Sequence, residues 1–357
     1  MKYFNILRVS LLMVALTGSA FGLSARALAR SDRHTKKVPG PIIERVVAAD
    51  PSVAVSVCLV SGDIKVHGWD RNEVRARSND VEAIEFRRQA GARESDPAKE
   101  ITVLLSDMRP HRLGPCSANA DIELDVPRGA TVRLQTRDGS IQVVDVTAVT
   151  ANAQSGDLDF AGIKRSVEAA TIGGNISLRD SNGPITLHSV GGSIEARGVR
   201  PVAAEDTFEA ATVGGDITLE KIGSKKVKVR TVGGSLSLSG ALAAGALYEF
   251  KTFSGDISFS LPLDSSFRLD ATLSQGGELV TEFPLKMIAE SKESSSQASR
   301  RSGPQTKGDL TIDPDVLIRG SKHGLQRISG VYGTGDALIT ASSFSGSINL
   351  RKNLRKK

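Results

Sequence analysis

Four aspartates are the first residues in this sequence whose type and spacing suggest chemistry. Asp63, Asp157, Asp216 and Asp256 each directly follow a glycine in a short turn-like motif. Carboxylates stacked at successive corners of a coiled β-structure can bind calcium, which needs several oxygen ligands. In other copies of the motif, the same position holds asparagine or serine: Asn175, Ser140, Ser193, Ser235 and Ser347. Asp, Asn and Ser share a short side chain that hydrogen-bonds turn backbone, so we predict a structural role and keep the four aspartates as weak calcium candidates.

Other residue types that carry catalysis form no recognised motif. The five histidines, at positions 34, 67, 111, 188 and 323, include no pair at the i, i+4 metal-binding spacing. The sequence has neither a Gly-x-Ser-x-Gly elbow nor a phosphate-binding Gly-Lys-Ser/Thr. We therefore predict a protein with no catalytic centre, no metal and no cofactor. A carbohydrate-active β-helix enzyme is the alternative, because stacked coils can assemble acids and bases that no linear motif reveals.

An acidic segment is a second candidate metal site. Asp121, Glu123 and Asp125 alternate with aliphatic residues, so they share one face of a predicted strand. The simpler interpretation is a solvated strand face, and we predict that one.

The chain contains only two cysteines, Cys58 and Cys116. An exported protein with an even number of cysteines can form a disulfide. The pair is therefore a possible disulfide, and two buried free thiols are the alternative.

Residues 212–219 (TVGGDITL) are the clearest copy of a stretch that recurs along the chain. Each copy contains one of the glycine turns, so the repeat determines where the turn residues lie. Related copies lie at 171–178, 189–194 and 231–238, and looser copies lie at 154–158, 252–259 and 344–348. A period of roughly 20 residues is typical of repeat architectures. The predicted structural turn glycines are Gly62, Gly139, Gly156, Gly174, Gly192, Gly215, Gly234, Gly255 and Gly346.

Two all-β folds compete for this pattern. Gly-Gly between alternating segments is a hairpin signal, which would give an antiparallel β meander. The same unit suits a β-solenoid corner, where glycine permits positive φ. We predict the single-domain β-solenoid (a β-helix or β-roll), because near-identical turns at a near-constant period can stack glycine on glycine and isoleucine on isoleucine. A half-period echo at 182–187 suggests two strands per coil.

Composition divides the chain into segments. Residues 1–29 form a predicted signal peptide, with a basic start, an apolar stretch and Ala27-Leu28-Ala29 at its end; a retained anchor is the alternative. We assign 30–46 to a linker, 47–283 to the β-repeat domain, 284–309 to a flexible insertion, 310–350 to C-terminal β coils that complete or cap the stack, and 351–357 to a basic tail. The net charge of +6 is concentrated at the two ends of the chain. Because the repeat domain itself is not basic, we expect no nucleic-acid partner.

The order of the motifs resembles the bacterial putative-adhesin family, an exported β-repeat domain of unknown function. Residues 62–70 (GDIKVHGWD) with Val74 are similar to the opening of that domain, and 124–132 (LDVPRGATV) with 138–143 are similar to its central strand and first turn. The turn repeats as far as Phe259 continue the resemblance, which covers about 50–283 and 330–350. It implies a β-helical or β-roll domain in the cell envelope, and it implies no catalytic or ligand-binding residue.

We accordingly predict a non-catalytic interaction or scaffold protein of the cell envelope, located in the periplasm or at the cell surface. Its partner would be an envelope glycan, a cell-wall polymer or a protein. A membrane-associated envelope-stress sensor is a further alternative, in which the basic tail would touch an anionic membrane peripherally.

Overall fold

A computed structural model describes residues 41–79, 81–89, 96–106, 116, 118–274, 276–288, 311–312, 316–319 and 326–353. All of them belong to one compact unit, Pro39–Lys357. They form strands and no helix, so no helix in the described part could span a membrane. The predicted signal peptide, most of the predicted linker and insertion, and the end of the basic tail lie outside these residues.

The described residues contain twenty-eight strands. In chain order they are β1 (Ile43–Cys58), β2 (Ile64–Trp69), β3 (Glu73–Ser78), β4 (Ala83–Arg88), β5 (Ala98–Ser106), β6 (Ile122–Pro127), β7 (Thr131–Asp138), β8 (Ile141–Val144), β9 (Ala148–Ser155), β10 (Leu158–Ala161), β11 (Ser166–Ala170), β12 (Ile176–Arg179), β13 (Ile185–His188), β14 (Ile194–Val199), β15 (Thr207–Ala211), β16 (Ile217–Ile222), β17 (Lys226–Arg230), β18 (Leu236–Ser239), β19 (Leu247–Ser254), β20 (Ile257–Pro262), β21 (Phe267–Leu273), β22 (Glu278–Thr281), β23 (Leu285–Met287), β24 (Thr311–Ile312), β25 (Val316–Arg319), β26 (Gln326–Tyr332), β27 (Ala337–Ser345) and β28 (Ile348–Asn353).

The central strands build a solenoid with two strands per coil. Even-numbered strands from β8 to β20 pair in parallel to form a first sheet, and odd-numbered strands from β7 to β19 pair in parallel to form a second sheet. The glycine turn joins each strand of the second sheet to the next strand of the first. The predicted β-solenoid is therefore confirmed, and the antiparallel meander is not the fold.

Period-2 alternation places the core between the two sheets. In the first sheet, the aliphatic residue that begins each strand stacks directly on its counterpart in the next coil, as Ile176, Ile194 and Ile217 do. These three side chains are at most 1% exposed. Burying an aliphatic side chain of this size stabilises a fold by about 1.5–3 kcal/mol, so the repeated isoleucine supplies much of the stability of each coil.

Both ends depart from simple sequential stacking. The coil β1–β2 lies between β5–β6 and β7–β8, and the coil β27–β28 lies between β19–β20 and β21–β22. Antiparallel strands then cover the last coils, with β3 and β4 at one end and β25 and β26 at the other. The C-terminal coil thus completes the stack from inside it, while neighbouring strands cover its end.

Three boundaries differ from the predicted segments. β1 begins at Ile43, inside the predicted linker, β23 lies inside the predicted insertion, and β28 continues to Asn353 in the predicted basic tail. Pairing with β3, β26 and β20 extends these strands beyond what the repeat pattern marks.

Candidate interaction surfaces of the solenoid

The predicted turn glycines form one continuous row along an edge of the solenoid. A Cβ atom added to Gly192 would lie 1.9 Å from the carbonyl oxygen of Gly174, and one added to Gly215 would lie 2.2 Å from that of Gly192. The same close approach, at 1.9 to 2.2 Å, recurs at every turn glycine that the sequence predicts. Glycine is therefore required because the backbones of adjacent coils touch at this edge.

Backbone conformation explains only some of these glycines. Gly62, Gly139, Gly156 and Gly255 have φ between +124° and +148°, the range that L side chains rarely adopt. The second glycine of each Gly-Gly copy, such as Gly215, is not in that range. The expectation that positive φ would explain the turns is wrong for those copies, in which contact between coils imposes glycine instead.

The residue after each turn glycine binds the neighbouring coil rather than an open ligand position. Ser140 N–H donates to Asp63 Oδ1 at 2.8 Å, and Asn175 N–H donates to Asp157 Oδ1 at 2.8 Å. Asp216 accepts from Ser235 N–H at 2.7 Å, and Asp256 accepts from Ser347 N–H at 2.7 Å. We name this row of residues, 63, 140, 157, 175, 193, 216, 235, 256 and 347, the cap row.

The four calcium candidates are not brought together. Between Asp157 and Asp216 lie two coils that carry Asn175 and Ser193, and one coil carrying Ser235 separates Asp216 from Asp256. At about 4.8 Å per coil, neighbouring candidates are about 10–14 Å apart. Within the described residues there is no group of three His, Cys, Asp or Glu that could hold a metal ion. The arrangement supports the predicted structural role.

A second polar row was not predicted, although the repeat contains it. The Thr or Ser that precedes the turn is buried, and its hydroxyl donates to the carbonyl of the turn glycine in the preceding coil. Thr212 Oγ1 lies 2.8 Å from Gly192 O, Ser189 Oγ lies 2.9 Å from Gly174 O, and Thr231 Oγ1 lies 3.1 Å from Gly215 O. The invariance of a hydroxyl at this position across the Gly-Gly copies was the available signal.

Next to these buried hydroxyls, six apolar side chains stand exposed on consecutive coils. Their exposed fractions run from 36% for Phe344 to 56% for Phe253. The two phenylalanine rings stack with centroids 4.7 Å apart and an interplanar angle of 7°. We name this set the apolar edge row: Ile172, Val190, Val213, Val232, Phe253 and Phe344.

The outer face of the first sheet carries short uncharged polar side chains over its last coils. Thr218, Ser237, Ser258 and Asn349 are register partners on β16, β18, β20 and β28. Ser239 and Ser260 form a parallel row two residues further along β18 and β20. These six residues are exposed or half-buried, and Ser237 Oγ lies 3.2 Å from Thr218 Oγ1. We name them the hydroxyl face; Glu220 and Arg351 lie at its two ends.

The second sheet presents a charged outer face over the corresponding coils. Glu249 on β19 is the centre of an ion-pair group, with Lys251 Nζ at 2.5 Å and Arg230 at 3.3 Å. The hydrogen bond from Lys251 and the charge of both cations hold the pKa of Glu249 below its ordinary value of 4.5. Over these coils the outer face of the first sheet is therefore uncharged, whereas that of the second sheet is charged.

The acidic segment on β6 differs from its predicted state. Arg75 on β3 donates twice to Asp125, at 2.8 and 2.9 Å, and Arg77 contacts both Asp125 and Glu123. Asp125 is only 7% exposed, so the prediction of a solvated face is wrong there, because antiparallel β3 covers it with arginines. The hydrogen bond to Asp125 raises the pKa of Arg75. Glu123 and Asp125 thus have arginine partners, which is typical of a structural ion-pair network, whereas Asp121 accepts from Asp63 N–H at 2.8 Å.

The two cysteines lie beside the start of the glycine edge. A disulfide joins Cys58 and Cys116, whose Cα atoms are 4.7 Å apart. The bridge lines a cavity of about 460 Å³ together with Arg137, Gln154 and Ile172. It ties the end of β1 to the chain just before β6.

The chain belongs to the Toastrack DUF4097 family, whose model matches residues 52–311. The resemblance to a putative-adhesin family of unknown function, predicted from the motifs, is thereby confirmed.

Three solved structures of putative adhesins are similar to this chain. One from Parabacteroides distasonis is 12% identical, with 62% of this chain and 91% of that chain covered and a TM-score of 0.41. One from Bacteroides fragilis is 11% identical over 87% and 97% of the two chains, with a TM-score of 0.35. One from Parabacteroides merdae is 12% identical over 62% and 90%, with a TM-score of 0.33. No curated protein matches the sequence.

Proposed function

We propose that this protein is a non-catalytic interaction protein of the cell envelope that holds a glycan or cell-wall polymer on its hydroxyl face. The observation that carries the proposal is the array of Thr218, Ser237, Ser239, Ser258, Ser260 and Asn349, which are register partners on adjacent strands. Each hydroxyl can donate and accept, and the asparagine amide can do both, which suits a ligand covered with hydroxyl and amide groups.

The geometry of the face favours an extended ligand. Its side chains are short, so a chain-like polymer can approach the sheet closely, and the groups recur at about 4.8 Å from coil to coil. Several weak contacts along one polymer add up to a useful affinity through effective concentration. Export of the protein is part of this proposal, and the predicted signal peptide at residues 1–29 motivates it.

Co-sedimentation tests this function. The full-length protein is mixed with isolated peptidoglycan and, separately, with anionic phospholipid vesicles, at low and at high salt. We expect it to pellet with peptidoglycan at both salt concentrations, because hydrogen bonds between neutral groups are only weakly screened. Pelleting with vesicles alone, lost at high salt, would instead support peripheral membrane contact through the basic tail and would overturn the polymer proposal. No pelleting with either would also overturn it.

A further inference from the structure

The apolar edge row stands apart from the hydroxyl face and needs an occupant of its own. Its six side chains follow one another without interruption on consecutive coils. Backbone hydrogen bonds along the row fix their spacing: Gly191 N–H to Ile172 O, Gly214 N–H to Val190 O and Gly233 N–H to Val213 O, at 2.8 to 2.9 Å. Five steps of about 4.8 Å give a row about 24 Å long. Continuous exposed apolar patches of this kind mark interaction sites.

We propose that the apolar edge row is the contact surface of a homodimer in which two copies lie side by side and parallel. The two-fold axis would run along the row, so that each residue of the row faces the same residue of the second copy. This inference goes beyond the proposed function, because it uses a different surface.

The charges on either side of the row favour this arrangement. The cap row borders it on one side with Asp157, Asp216 and Asp256. The register positions on the other side are Ala170, His188, Ala211, Arg230, Lys251 and Ser342. Arg230 and Lys251 are the cations among them, and both also contact Glu249. A two-fold axis along the row places the cap row of one copy over the side of the other copy that carries these two cations. Lys251 then lies opposite Asp256 in the same coil. In an antiparallel arrangement the cap rows of the two copies would face each other, so their aspartates would have no basic partner.

The same borders disfavour a membrane as the occupant. An anionic lipid surface attracts juxtaposed basic groups, but here the aspartates of the cap row border the apolar side chains as well. The area of the apolar edge row also limits how stable the dimer can be. With its flanking rows the edge offers a few hundred Å², less than the ~800 Å² per partner of a standard stable interface. We therefore expect a reversible dimer with a dissociation constant in the micromolar range.

Sedimentation equilibrium of the full-length protein across the micromolar range tests the dimer. The Val232→Ser, Phe253→Ser double variant should weaken self-association at least ~10-fold, as loss of central apolar contacts does. Val202→Ser is the matched control, because Val202 is 66% exposed but lies outside the row. A wild-type protein that stays monomeric throughout, or equal weakening by the control, would overturn the proposal, as would binding of the row to anionic vesicles by a monomer.

Cysteine cross-linking tests the orientation. The two native cysteines are already joined, so Val190→Cys and Phe253→Cys each add a single thiol well along the row from that bridge. In the parallel dimer each variant alone should form a cross-linked dimer under mild oxidation. Cross-linking only when the two variants are mixed would show antiparallel packing and overturn the proposal. Retention of the dimer in a Ser237→Glu, Ser258→Glu variant would separate this interface from the hydroxyl face.

Discussion

Each Gly-Gly turn contains two adjacent glycines with opposite expected tolerance to substitution. A Cβ at Gly215 would lie 2.2 Å from Gly192 O and 2.5 Å from Gly192 C, whereas a Cβ at Gly214 would meet nothing closer than Val190 O at 3.7 Å. Gly215→Ala must therefore push two coils apart by more than about 1 Å, because ordinary contacts to Cβ begin near 3.4 Å. Gly214→Ala needs no movement.

The expected loss of unfolding free energy follows from the contacts that break when the two coils separate. Thr212 Oγ1 to Gly192 O, at 2.8 Å, and Ile194 N–H to Asp216 O, at 2.9 Å, both span this contact. Two such hydrogen bonds at about 1 kcal/mol each, with about 1–3 kcal/mol for overpacking, give a loss of about 3–5 kcal/mol for Gly215→Ala. For Gly214→Ala we expect no loss, or a gain of about 0.4–1 kcal/mol from reduced entropy of the unfolded chain.

Urea unfolding of the two variants and the wild type, followed by circular dichroism, measures the difference. The expected order of midpoints is Gly214→Ala at or above wild type and Gly215→Ala well below both. Equal midpoints for the two variants, or a more stable Gly215→Ala, would refute the conclusion that contact between coils selects the second glycine.

Three further predictions concern the same framework. Thr212→Val should cost about 1–2 kcal/mol of unfolding free energy, because it leaves a buried Gly192 carbonyl without its donor, whereas the exposed Thr218→Val should stay within about 0.5 kcal/mol in the same urea titration. Removing the disulfide with Cys58→Ser, Cys116→Ser should cost about 4 kcal/mol, since it closes a loop of 58 residues; an unchanged midpoint in non-reducing buffer would contradict this. Burial raises the pKa of Tyr248 above its ordinary 10.0, so its contribution is fully present below pH 10.0 and is lost as pH rises through the folded-state pKa. Tyr248→Phe should flatten the decline of the urea midpoint in that alkaline range, and an equally steep decline would count against it.

The sequence predicts the coils well because each coil is a local unit with the same turn and the same buried isoleucine. Gly174, Gly192 and Gly215 could be aligned by their spacing alone, and the stacking followed from that. The position of β27–β28 between β19–β20 and β21–β22 could not be predicted, since a parallel strand that leaves the sequential order has no local signal. The pairing of Arg75 with Asp125 was hidden for the same reason, as it depends on which strand covers β6.

The surfaces were predictable only in part. The cap residues Asp63, Asp157, Asp216 and Asp256 were recognised as turn residues, although the coil that each one binds depends on stacking. The apolar edge row is contained in the repeat, as the residue after each buried Thr or Ser, yet alternation does not show that Val213 or Val232 points to solvent. Exposure at a turn is set by the path of the backbone, which a period alone does not specify.

Pelleting with peptidoglycan, compared between two face variants, tests the central claim most directly. Ser237→Glu with Ser258→Glu places charge on the hydroxyl face, and Thr150→Glu places it on the outer face of the second sheet, where its register partners are Arg133 and Glu168. We predict that the hydroxyl-face variant no longer pellets at either salt concentration while Thr150→Glu pellets like the wild type. Undiminished pelleting of a folded hydroxyl-face variant would contradict the assignment of polymer binding to this face.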